Sequence, residues 1–81
     1  MGMYFPGYKR GAAITPSDST NLAGGVCNAI YVGGTGAVAA VMMDDTVVTL
    51  AAVPAGVILP LIAKRVNATG TAATNLVALY A

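Results

Sequence analysis

From residue 26 onward no stretch runs longer than ten residues before turn-forming residues interrupt it. Globular helices average about 11–12 residues and strands about 5–6, so this punctuation favours short strands. Val26–Val32 ends at Gly33-Gly34-Thr35-Gly36, and Ala37–Met43 ends at Asp44-Asp45. Thr46–Val53 ends at Pro54-Ala55-Gly56, Val57–Val66 ends at Asn67-Ala68-Thr69-Gly70, and Asn75–Tyr80 closes the pattern. The runs are rich in β-branched residues, as strands are. Ala37–Met43 also has helix-forming Ala and Met, but seven residues between two turns suit a strand better. These features predict an all-β protein: a small antiparallel β-sandwich or barrel of about 5–6 short strands, with an extended N-terminal arm over residues 1–13 and one β-domain over 14–81.

At 81 residues there is room for a single small domain. Charged residues make up 9% of it and hydrophobic ones 57%, against about 25% charge in an ordinary soluble domain. Four Lys+Arg are too few for the basic footprint of a nucleic-acid binder. High hydrophobicity argues against intrinsic disorder. The absence of His and the presence of only three carboxylates leave little for proton transfer, so an enzyme is not expected. Ser17 and Ser19 have no His base to activate them.

A monomer of this size has a marginal core and usually needs disulfides, a metal or oligomerisation. One Cys makes no internal disulfide, and one Cys without His builds no zinc site. Oligomerisation is left, and it also accounts for the missing charge. Cys27 lies in the apolar run Val26-Cys27-Asn28-Ala29-Ile30 and reads as a buried small hydrophobe. A lone Cys suits a reducing compartment of assembly, and the N-terminus lacks the pattern of a secretory signal.

Residues 46–63 form an 18-residue stretch without charge, flanked by Asp44-Asp45 and Lys64-Arg65. Its length suits a membrane span, which makes a small membrane-associated protein the alternative reading. Pro54, Gly56 and Pro60, together with many β-branched residues, argue against a helix there.

Tyr4, Phe5 and Tyr8, three of the five aromatics, lie among glycines and a proline ahead of Lys9-Arg10. No periodicity predicts regular structure in this arm. Its aromatics suit docking onto a partner or folding back over the protein's own core.

If Pro54–Gly56 closes a hairpin with Ala52 facing Val57, Asp45 falls opposite Lys64 and Asp44 opposite Arg65 as cross-strand pairs. Along the second arm of that hairpin Leu59, Leu61 and Ala63 point one way, and Ile58 and Ile62 the other. Both faces are apolar, so one is expected to meet the core and the other a neighbouring chain.

Three motifs carry weaker signals. Gly34-x-Gly36-x-x-Ala39 resembles a dinucleotide fingerprint but lacks its downstream acid and its βαβ context, and it reads as a glycine hairpin turn. Asp44-Asp45 has only Asp18 to help it hold a cation. Asn67-Ala68-Thr69 is a sequon that reads as a turn. No cofactor or metal is expected.

Five fragments stand in order: Ile14-Thr15-Pro16-Ser17-Asp18; Cys27-x-Ala29-Ile30-Tyr31-Val32-Gly33; Val53-Pro54-Ala55-Gly56-x-Ile58-Leu59-Pro60-Leu61; Arg65-Val66-x-Ala68-Thr69-Gly70-Thr71; and Val77-Ala78-Leu79-Tyr80. Over residues 14–80 this order resembles the small head-spike base and capsid-decoration proteins of gene transfer agents and related tailed phages. The resemblance implies a virion structural protein on the capsid surface, assembled in the host cytoplasm. Its partners would be copies of itself (a trimer or pentamer), a major capsid protein, and a spike or fibre protein. The family offers no catalytic residues, and the aromatic arm lies outside the pattern.

Overall fold

The structure is a computed structural model and describes residues 7–81. It is all-β, as expected, with seven strands: β1 Arg10–Ala13, β2 Ala29–Gly34, β3 Gly36–Met42, β4 Val47–Val53, β5 Val57–Leu59, β6 Ala63–Val66 and β7 Thr74–Tyr80. They form two antiparallel sheets, A in the order β1-β7-β2-β5 and B in the order β4-β3-β6.

Alternation along the strands fills the space between the sheets. Ile30 and Val32 of β2, Leu76, Ala78 and Tyr80 of β7, and Val38 and Ala40 of β3 point inward and are almost fully buried. Burying an aliphatic side chain of this size contributes roughly 1.5–3 kcal/mol. Cys27 is fully buried in the same core, and burial raises its thiol pKa, as befits a packing residue. Tyr80 donates its hydroxyl to the Gly25 carbonyl at 3.2 Å.

The long segment from Ile14 to Asn28 covers the outer edge of β6. Ser17, Leu22 and Cys27 donate backbone N–H bonds of 2.9 Å to the carbonyls of Val66, Lys64 and Ala63. That removes one open edge, a common site of unwanted pairing. The outer edges of β1, β4 and β5 have no neighbouring strand among the described residues.

Several expectations need correction. Arg10–Ala13, assigned to the arm, forms β1 and pairs with β7. Val57–Val66 is two strands in different sheets, because Pro60 cannot continue the ladder. The Pro54–Gly56 turn does not close a hairpin: β4 pairs with β3 and β5 pairs with β2. Gly33–Gly36 is not a hairpin turn either, but carries the chain from sheet A to sheet B. Its glycines are needed for close approach to the start of β7, since a Cβ on Gly36 would lie 2.5 Å from the Ala73 nitrogen. Residues 46–63 hold β4, β5 and connectors. No helix among the described residues is long and apolar enough to cross a membrane.

These connections give the sandwich two unlike ends. At the crossover end the chain passes between sheets three times, at Thr35, at Pro54–Gly56 and at 67–73. The strands are tied there by Gly56 N–H to Val32 O at 2.7 Å and Ala72 N–H to Ala37 O at 2.8 Å. The opposite, hairpin end holds the β3–β4 turn, the start of β1 and the end of β7. The pairings Arg10↔Tyr80 and Met42↔Ala63, with the Cys27–Ala63 backbone bond, bring these pieces to one place.

Candidate docking surface

Exposed large hydrophobic side chains are concentrated at the hairpin end. Tyr8, Val26, Met43, Val47 and Ile62 are all there, with Met43 63% exposed. A shallow, mainly apolar depression of about 400 Å³ is lined by Met42, Met43, Thr46 and Ile62, with Asp44 among them. Apolar ground of this kind marks interaction sites more often than solvent-facing surface.

Five of the seven charged residues, Lys9, Arg10, Asp44, Asp45 and Lys64, lie at the same end. Lys64, in the irregular β3–β6 pairing, forms an ion pair with Asp45 in the β3–β4 turn. The two sit together because β6 is the neighbour of β3, not because they face each other across a β4–β5 hairpin. Asp45 has a φ of 71°, a conformation that Asp tolerates better than most residues. Asp44 does not meet Arg65. Its Oδ1 accepts the Thr46 backbone N–H at 3.1 Å, and hydrogen bonds from the Thr46 side chain and backbone hold its pKa below the ordinary value. Arg65 bonds instead to Asn67 Oδ1 at 3.1 Å and Asn21 Oδ1 at 3.2 Å.

Tyr8 is 45% exposed where the chain enters β1. The other two proposed anchors, Tyr4 and Phe5, lie outside the described residues. Lys9 donates its backbone N–H to Tyr80 O at 2.8 Å. The Arg10 guanidinium stacks over the Tyr80 ring, 4.3 Å from its centroid, a favourable cation–π contact.

A second apolar stretch crosses the outer face of sheet A. The registers align Ala13, Val77, Tyr31 and Ile58 in one row over four strands. Tyr31 is 36% exposed and Ile58 48%, and no charged residue interrupts the row. The two-sided apolar pattern is therefore present. Leu59, Leu61 and Ala63 pack inward, while Ile58 and Ile62 face out, although β5 and β6 belong to different sheets. Sequence reasoning missed Met43 and Val47, which only the folding of the β3–β4 turn brings beside Ile62. It missed Tyr31 as well, for which the available signal was alternation between Ile30 and Val32, both buried.

Among the described residues no cluster of His, Cys, Asp or Glu could hold a metal ion. Asp18 bonds to the Thr69 N–H at 2.9 Å and its hydroxyl at 2.7 Å, which lower its pKa and staple the 67–73 crossover. The glycine run lies against β7 and has no helix after it, so it lacks the setting of a phosphate-binding loop.

No protein-family model and no curated protein matches this sequence. Among solved structures, a chain in the capsid of a native gene transfer agent (GTA) particle, computed with C5 symmetry, superposes with a TM-score of 0.79 at 39% identity. The match covers 89% of this chain and 82% of that one. With that identity over most of both chains, the protein belongs to the family of this gene transfer agent capsid chain.

Proposed function

We propose that the protein is a structural component of a gene transfer agent or related phage particle, displayed on the capsid exterior as a decoration, cement or head-spike base subunit. The observation that carries the reading is the 39% identity and 0.79 TM-score to a chain of a gene transfer agent capsid. The apolar hairpin end supports it, since a protein whose work is adhesion needs surface of that kind. In this reading the chain acts by assembling with its own copies and docking on the major capsid protein. The exposed face of sheet A, or the N-terminal aromatics Tyr4, Phe5 and Tyr8, would grip a further component such as a spike or fibre.

Co-sedimentation tests this directly. Purified particles lacking the protein are mixed with it and pelleted. Saturable binding at a fixed copy number per particle is expected. Failure to pellet above background would refute a capsid-exterior role. A negative-stain map of reconstituted particles then separates binding at vertices from binding across the lattice.

A further inference from the structure

Among the described residues the chain forms one ion pair, Lys64 with Asp45, and most of its other charged side chains are held by contacts to neutral groups. Of the four cations, Lys64 pairs with Asp45, Arg10 stacks on Tyr80 and Arg65 bonds to two asparagines. Of the three carboxylates, Asp45 has Lys64 and Asp18 has Thr69. Asp44 accepts hydrogen bonds only from Thr46 in its own turn, and the Lys9 side chain has no partner among the described residues, so both charges are open to a neighbour. Both lie at the hairpin end, in different sheets. Lys9 immediately precedes β1, the edge strand of sheet A, and Asp44 precedes β4, the edge strand of sheet B.

The strand order puts these edges on opposite flanks. Three residues carry β4 into β5, and β5 is at the far side of sheet A from β1. Each leftover charge also has an apolar companion. Tyr8, 45% exposed, stands next to Lys9. The depression lined by Met42, Met43 and Ile62 includes Asp44. An aromatic ring against methionine sulfur is a favourable contact, and the depression is large enough for a tyrosine side chain. Complementary patches on opposite flanks of one molecule produce head-to-tail association, which closes into a ring when the rotation allows.

We propose that copies of this chain associate head to tail, with Tyr8 and Lys9 of one copy docking on the depression formed by Met42, Met43, Asp44 and Ile62 of the next. β1 and β4 both run away from the hairpin end, so side-by-side approach brings Lys9 to Asp44 and sets the open edges of β1 and β4 facing each other. The proposal deepens the reading of the protein as an assembling capsid component and relies on it only for the expectation that copies meet.

The test is a charge exchange read by sedimentation equilibrium of the full chain. The wild type should form a closed oligomer. Lys9→Glu and Asp44→Lys should each weaken association by about tenfold, because each places like charges face to face. The Lys9→Glu/Asp44→Lys double variant should recover most of the loss, which a general folding defect would not do. A Lys9→Cys/Asp44→Cys variant, oxidised, should give a ladder of covalent multimers on a denaturing gel, while buried Cys27 stays unreacted. A wild-type monomer at about 100 μM with no ladder overturns the proposal. So does an oligomer indifferent to both single reversals, or a double variant no better than the singles. Particle binding without self-association would refute this interface and leave the capsid role standing. Self-association through it without particle binding would do the reverse.

Discussion

The two ends of the sandwich are built from different materials. The crossover end is glycine-rich and closely packed: Cβ atoms on Gly33, Gly34 and Gly36 would all collide with residues 72–75. It exposes Thr35, Pro54, Ala55 and Thr69, and among the described residues no large hydrophobic side chain there is exposed. The hairpin end exposes Tyr8, Val26, Met43, Val47 and Ile62 and gathers Lys9, Arg10, Asp44, Asp45 and Lys64. Packing constraints therefore concentrate at one end and adhesive surface at the other. Substitutions should divide the same way, with folding sensitive at the crossover end and association at the hairpin end.

The largest effect is expected from Gly36→Ala. Its new Cβ would sit 2.5 Å from the Ala73 nitrogen and 2.7 Å from the Ala72 carbonyl carbon, both backbone atoms. Forcing them apart should cost on the order of 3 kcal/mol, read as a lower midpoint in urea. An unchanged midpoint would mean that the crossover end is not closely packed.

Truncation comes next and separates β1 from what precedes it. Removing residues 1–9 leaves β1 in place and should lower the melting temperature little. Removing residues 1–13 deletes the strand that pairs with β7 and uncovers the outer face of Tyr80. That should cost several degrees or prevent folding. Equal melting temperatures for the two truncations would show that Arg10–Ala13 contributes nothing to the sheet.

Ala52 offers a stabilising change. It has a φ of 57° beside the irregular β3–β4 pairing, where a non-glycine residue is strained. Ala52→Gly should stabilise by about 0.5–1 kcal/mol despite glycine's greater freedom in the unfolded chain. Destabilisation of that size would argue against the left-handed conformation.

The pH profile touches both ends. Hydrogen bonds depress the pKa of Asp18 at the crossover end and Asp44 at the hairpin end below 3.8. Their contribution is full above the unfolded carboxylate pKa and is lost as pH falls through the lowered folded values. Burial raises the pKa of Cys27 above 9.0 and of Tyr80 above 10.0. Their contribution is full below those ordinary values and is lost as pH rises through the raised ones. With no His in the chain, stability should be flat from about pH 5 to 8. A transition inside that window would contradict these assignments.

The smallest effect on folding is expected from Met43→Ser. Met43 is 63% exposed, so stability should change by less than about 0.5 kcal/mol, while self-association weakens. A large loss of stability would mean that the depression is part of the core.

Much of this architecture was legible in the sequence because turn residues bound strands locally. β2, β3, β4 and β7 fall within or near the runs that the punctuation marks out. β1 was not legible: Arg10-Gly11-Ala12-Ala13 has no β-branched residue, and its extended form is set by pairing with β7. Pairing partners were also hidden. Pro54-Ala55-Gly56 turns the chain equally well into a hairpin or into the facing sheet, and which occurs depends on distant partners. Asp45 meets Lys64 because β3 separates and joins their elements, a relation invisible to a two-strand register. The outward face of Ile58 and Ile62 was legible from alternation alone. The depression was not, because it unites residues from the end of β3 and the connector before β6.

The central claim is that the hairpin end is the adhesive one. A cryo-microscopy map of particles containing the protein tests it most directly. The account predicts this domain on the outer capsid surface, with Tyr8, Met43 and Ile62 covered by neighbouring density and the Thr35, Pro54–Gly56 and Thr69 loops towards solvent. The opposite orientation, with Met43 and Ile62 bare and those loops in contact, would contradict it.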